Sequence, residues 1–262
     1  MDIGMPELIE VDSLTARVKL CAGLGLDFVE LNMNIPSSQA GALRAGDLNA
    51  LKKKYGIYFT VHLDENLNPF DFNRKVSEAY SDTLKDTVAL AKEAEIPLLN
   101  MHLAEGVYFT MPDEKIYLYD RYENVYLDSV RAFRDDFDKE ARDSGVTIAV
   151  ENTNGYRAFQ QKAIDILLES EVFALTYDIG HGACAGYADE KFITERRTRL
   201  KHFHVHDSAN GKCHLPLGEG AADWRKYLAA AENLDCRAVI ETKTVAGLEA
   251  SVYVLRKENF IM

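Results

Sequence analysis

The feature that most limits the fold is an alternation running the length of the chain. Short, nearly continuous apolar runs alternate with longer amphipathic ones. The runs fall at 28–31, 58–63, 98–103, 147–151, 173–178, 200–206 and 237–241, with a weaker one at 3–8. Runs this short and apolar on both sides read as parallel strands buried on two faces. The stretches between them have helical period. Val76, Tyr80, Leu84, Val88 and Ala91 share one face, as do Tyr126, Val130, Phe133, Phe137 and Ala141. Ser13 and Asp223 precede helical runs as N-caps. Eight strand–helix units account for all 262 residues, which implies an α/β fold with one (β/α)8 barrel domain over 1–262. An open doubly wound sheet is the alternative, but no G-x-G-x-x-G follows the first strand.

The net charge of −12 argues against a nucleic-acid partner. The basic runs Lys52-Lys53-Lys54 and Arg196-Arg197-Thr198-Arg199 read as solvated faces. No apolar run is long enough to span a bilayer, and Met1–Pro6 lacks the charge and apolar stretch of a secretory leader. The four cysteines, Cys21, Cys184, Cys213 and Cys236, form no C-x2-C pair, so free thiols in a reducing cytoplasm are expected.

Chemistry concentrates at the strand ends. His62, His102, Glu151, Asp178 and Glu241 end strands three, four, five, six and eight, and strand seven carries His202, His204 and His206. All seven histidines lie at or just beyond such ends. A barrel converges these ends on one mouth. A single histidine there is more often a hydrogen-bonded structural residue than a ligand. Glu151, Asp178 and Glu241 differ, because an unpaired carboxylate closing an apolar strand costs several kcal/mol or takes up a proton. A cation partner is the simpler reason for them. Imidazole plus carboxylate suits Zn, Mn, Fe or Co, with Mg less favoured. The glycine-bearing segment 210–220 reads as a tight loop over the mouth, bringing Lys212 and His214 with it.

Glu151-Asn152-Thr153, Asp178-Ile179-Gly180-His181, His204-Val205-His206-Asp207, His214-Leu215-Pro216-Leu217-Gly218-Glu219-Gly220 and Glu241-Thr242, in this order and spacing, resemble the xylose isomerase-like TIM barrel superfamily. That group holds sugar and sugar-phosphate isomerases and epimerases, and the endonuclease IV type of abasic-site nuclease. The ketose epimerase branch implies one divalent metal on Glu151, Asp178, His204 and Glu241, the two glutamates also serving as acid and base. The nuclease branch implies more: a further metal on His62 and His102 bridged by Glu151, and a third on His181 and His214. The nuclease pattern breaks at Lys212, where that family has an aspartate, and at the acidic loop Asp64-Glu65. A charged Lys212 about 4 Å from a third cation would repel it by several kcal/mol at an effective dielectric near 20.

These residues together imply a metal-dependent isomerase or epimerase of a sugar or sugar phosphate working by enediolate-type proton transfer. Lys212 and His206 are expected at the substrate, and self-association into a homo-oligomer is left open. The alternatives are an abasic-site nuclease, a dehydratase or lyase on the same scaffold, and a non-catalytic sugar binder.

Overall fold

A computed structural model describes residues 1–261; Met262, the last residue of the expected domain, lies outside them. Eight parallel strands close into a barrel: β1 (Asp2–Pro6), β2 (Phe28–Asn32), β3 (Tyr58–His62), β4 (Leu98–His102), β5 (Thr147–Glu151), β6 (Phe173–Asp178), β7 (Leu200–Val205) and β8 (Arg237–Ile240). Closure pairs β1 with β8, Gly4 lying opposite Val239. Gly4 is required there, because a Cβ would lie 2.5 Å from the Phe28 ring.

The surrounding helices are α1 (Leu14–Gly23), α2 (Ala45–Tyr55), α3 (Arg74–Ala94), α4 (Glu123–Ala141), α5 (Ala158–Leu167), α6 (Glu190–Glu195), α7 (Trp224–Asn233) and α8 (Val245–Lys257). Ser13 Oγ accepts the Ala16 N–H, and Asp223 accepts that of Lys226, as their positions before α1 and α7 require. The inner face of α4 is buried from Tyr126 to Ala141. On α3, Leu84, Val88 and Ala91 are buried but Val76 is exposed. At about 1.5 Å per residue this 21-residue helix far outruns a five-residue strand at about 3.3 Å per residue. Its first turns therefore overhang the barrel. Among the described residues no helix is long and apolar enough to cross a membrane.

Three features depart from the sequence reading. Hairpins follow β4 (Tyr108–Thr110 with Lys115–Tyr117) and β7 (Asp207–Ala209 with Lys212–Leu215). The second, expected as a loop, turns on Asn210 and Gly211 at φ 51° and 75°, the left-handed pair of a two-residue hairpin turn. Arg199 is not a solvated charge: its guanidinium donates to the carbonyls of Leu168, Ser170 and Phe173. Cys184 and Cys213, expected as separate thiols, are joined in a disulfide, because the barrel brings the segments after β6 and β7 together. Cys21 and Cys236 are free and buried.

Candidate metal centre

The strand register delivers four side chains to one point. Glu151 ends β5, Asp178 ends β6, His204 lies near the end of β7, and Glu241 follows β8. All four are buried, and one potential ligand atom from each lies within 4.8 Å of the other three. His204 Nδ1 stands 3.1 Å from Glu151 Oε1, 3.2 Å from Glu241 Oε2 and 3.9 Å from Asp178 Oδ2.

Neighbours hold these groups in place. Asn100 donates to Glu151 Oε2. Asn152 grips the Asp178 backbone twice, accepting its N–H and donating to its carbonyl, both at 2.9 Å. The Asp178 carboxylate caps the short helix Ile179–Cys184 by accepting the His181 N–H at 2.7 Å. His206 Nε2 approaches the same carboxylate at 3.0 Å, while its Nδ1 accepts the His214 N–H at 2.8 Å. Gly180 makes room for that ring: a Cβ there would lie 1.9 Å from it.

The electrostatics are those of buried acids gathered round imidazoles. Burial alone would raise the Glu151 carboxyl, but the imidazoles of His204 and His102 outweigh it and hold the group well below the usual carboxylate range. Glu241 behaves alike: burial pushes up, and His204 and Lys243 pull further down. Burial would strip His204 of its proton, yet Glu151, Glu30 and Glu241 hold it protonated far above the ordinary imidazole range. On the Nδ1 side of His204 a metal's charge would serve Glu151, Asp178 and Glu241 at once. Glu241 Oε2, His181 Nδ1, His102 Nε2 and His214 Nδ1 are buried with no hydrogen-bond partner. Leaving each such atom unpaired costs about 1–3 kcal/mol. The donor set and its orphaned atoms fit a divalent cation with nitrogen and oxygen ligands.

The remaining expected residues distribute as follows. His62 Nε2 and His102 Nε2 face Glu151 Oε2 at 3.5 and 3.3 Å. The His62 ring carries its proton up to about pH 9: burial opposes this, and Glu151 and Glu30 overcome it. His181 Nδ1 lies 3.4 Å from Asp178 Oδ2, and His214 Nδ1 lies 3.8 Å from Glu241 Oε1. Burial lowers His214 to about 4, so it is neutral. His206, expected at the substrate, is fully buried with both ring nitrogens engaged by protein. Lys212 is exposed on the outer hairpin.

Two participants escaped sequence reading. Lys243 Nζ contacts Glu241 Oε1 at 2.8 Å and lines a cavity of about 200 Å³ with Pro6, Asn32, His62, Glu241 and Thr242. Its place two residues after Glu241 was the available signal. Glu30, buried on β2, contacts His202 and His204. It is the one acid inside its apolar run, which was the hint.

A closed parallel barrel with its acids and imidazoles gathered at the C-terminal strand ends defines a (β/α)8 barrel. The chain belongs to the xylose isomerase-like TIM barrel family, whose model matches residues 18–258. An uncharacterised protein of Methanocaldococcus jannaschii is 25% identical over 224 residues, 80% of this chain and 73% of its own. Among solved structures, a D-tagatose 3-epimerase-like protein superposes with a TM-score of 0.79 at 23% identity, covering 99% of this chain and 97% of its own. The IOLI protein with a bound zinc atom gives 0.73 at 15% identity, over 100% and 99%. At these identities the two structures establish the shared fold.

Proposed function

We propose that this protein is a divalent-metal-dependent isomerase or epimerase acting on a sugar or sugar phosphate. The observation that carries it is the convergence of Glu151, Asp178 and Glu241 on His204 Nδ1, with two glutamates arriving from strands three places apart in the barrel. The names of the epimerase-like and zinc-bound neighbours support the same reading.

Glu151, Asp178, His204 and Glu241 would hold the cation, be it Zn, Mn, Co, Fe or Mg. Bound there, it supplies Lewis acidity that acidifies the C–H beside a substrate carbonyl. Glu241, whose carboxylate borders the cavity, takes that proton in an enediolate-type transfer, and Glu151 serves as its acid/base partner. The substrate occupies the cavity beside Lys243, whose ammonium offers an oxyanion or phosphate a donor and a charge. Lys212, further out, meets a longer substrate only at its distal end. The test is solvent deuterium incorporation into ketoses, aldoses and their phosphates by metal-loaded protein. Absence of exchange across the panel, with metal bound, counts against the reading.

One observation favours a second reading, an abasic-site nuclease: His62 and His102 both face Glu151 Oε2, the oxygen that also accepts from Asn100, as a second metal site bridged by Glu151 would require. Nicking of an abasic-site duplex, with more than one metal bound per chain, would select it.

A further inference from the structure

The disulfide between Cys184 and Cys213 has no part in the proton transfer proposed above, yet it joins two segments that wall the mouth. Cys184 ends the short helix Ile179–Cys184, which Asp178 caps and which carries His181. Cys213 lies in the outer strand of the hairpin after β7, and its Sγ is 3.8 Å from the Gly180 carbonyl oxygen. That strand bulges at the same place. Asp207 pairs with Leu215 and Ala209 with Lys212, so Cys213 and His214 together stand opposite Ser208. A bulge re-aims a side chain. Here His214 takes φ 60°, a left-handed conformation that a non-glycine residue keeps only where its surroundings impose it. Its ring turns inward, with Nδ1 buried, without a hydrogen-bond partner, and 3.8 Å from Glu241 Oε1.

The bridge adjoins the bulge, and it is accessible. Cys184 is exposed and Cys213 half-buried, whereas Cys21 and Cys236 are buried. We propose that Cys184 and Cys213 form a redox-reversible clamp that fastens the hairpin over the mouth, and that a small thiol releases His214 from the centre by opening it. The regulatory sense of the clamp rests on the function proposed above; the clamp itself does not. In the opening step the thiolate of a low-molecular-weight thiol attacks Cys184 Sγ, the bond to Cys213 breaks, and Cys213 leaves as a thiolate that takes a proton. A second small thiol attacks the mixed disulfide and frees Cys184 as a thiol. Two small thiols are oxidised to one small disulfide as the protein bridge is reduced to two thiols, and a small disulfide reverses the sequence. With the bridge open, the His214 N–H donated to His206 Nδ1 still ties the strand inward. The backbone is then free to leave the left-handed region in local openings and to take the imidazole with it.

The test uses the full chain, with glutathione as the small thiol and manganese, which thiols bind weakly, as the metal. Folded wild type is equilibrated with reduced or oxidised glutathione, and its free cysteines are counted by alkylation and mass. Backbone hydrogen exchange then follows segment 207–215 in the oxidised, reduced and Cys213→Ser proteins. The bridge should open in reduced glutathione without denaturant and reform in oxidised glutathione. Exchange across 207–215 should be at least about tenfold faster in the reduced and Cys213→Ser proteins than in the oxidised one. Segment 147–151 of β5 should exchange alike in all three. On the sugar panel, manganese-loaded Cys213→Ser should show kcat/KM about 10- to 100-fold below the oxidised wild type, with metal content unchanged. A bridge that opens only on unfolding, or that never forms, overturns the clamp, whether or not Cys213→Ser folds. So does hairpin exchange that stays the same after reduction. Faster hairpin exchange with kcat/KM unchanged overturns the regulatory sense. No turnover by any form, with the exchange difference present, removes the proposed function and leaves the clamp.

Discussion

Replacing Gly180 by alanine should damage the centre without touching a proposed ligand. The new Cβ would lie 1.9 Å from His206 Cε1 and 2.1 Å from its Nδ1, where ordinary contact begins near 3.4 Å. The ring would have to retreat by about 1.5 Å, the shortfall between those distances. It is fully buried, so the retreat presses on packed neighbours, a cost of about 1–3 kcal/mol. The same motion stretches its 3.0 Å contact to Asp178 and its 2.8 Å bond from the His214 N–H. Losing a hydrogen bond to a charged group adds about 1.5–3 kcal/mol. For a chain of this size each kcal/mol lowers the melting temperature by about 2–4 °C, so the expected fall is on the order of 10 °C. Because Asp178 loses its guide, zinc affinity should drop as well. Gly46→Ala is the control: it is helical, and a Cβ there meets nothing within 4 Å. Thermal melts with and without zinc decide the matter. A Gly180→Ala protein that melts within about 2 °C of wild type and binds zinc equally would refute the role given to His206 and the glycine beneath it.

Glu151→Gln and Glu241→Gln should each lower turnover at least about 100-fold; metal content read on the same samples separates lost chemistry from lost binding, and a metal-replete Glu241→Gln exchanging protons at the wild-type rate would remove its base role. The metal-free protein should lose stability at both ends of the pH scale. His62, raised from 6.5 to about 9, contributes fully below pH 6.5, and that contribution disappears as pH rises through 9; Glu151 and Glu241, held below 4.5, contribute above that value and lose it as pH falls through their folded values. Calorimetry in chelator that shows a flat melting temperature from pH 6 to 9.5 would contradict the histidine limb. Zinc binding at pH 7 should release protons, since His204 must give one up to ligate, and calorimetry in buffers of different ionisation enthalpy counts them. Lys243→Met should raise KM with metal content unchanged, and more than Lys212→Ala does; the reverse order would place the substrate nearer the outer hairpin.

The barrel could be read from sequence because burial on both faces leaves short apolar runs whatever their partners. The strands 147–151 and 173–178 appear in the structure with the same limits. The hairpin after β4 was not legible, since three-residue strands are too short to show alternation. The hairpin after β7 had a signal in Asn210-Gly211, overshadowed by the glycines that follow. The convergence of Glu151, Asp178, His204 and Glu241 was legible because each sits at a strand end and a barrel has one mouth. Roles inside that cluster were not. Whether His202, His204 or His206 turns a nitrogen to the centre depends on contacts across the barrel. Glu30 reaches His204 from β2, with β1 and β8 lying between their strands, and no local pattern encodes that meeting. Lys212 and Lys243 differ likewise by where a loop folds, not by residue type.

On the proposed function, buried carboxylates and His204 form a metal centre which moves a proton on a sugar. The most direct measurement follows deuterium entering a panel of ketoses, aldoses and their phosphates in heavy water, using one preparation divided into chelated and metal-reconstituted halves. Exchange at a carbon beside the carbonyl of at least one substrate is expected in the reconstituted half, and none in the chelated half. Equal exchange in both halves would contradict it.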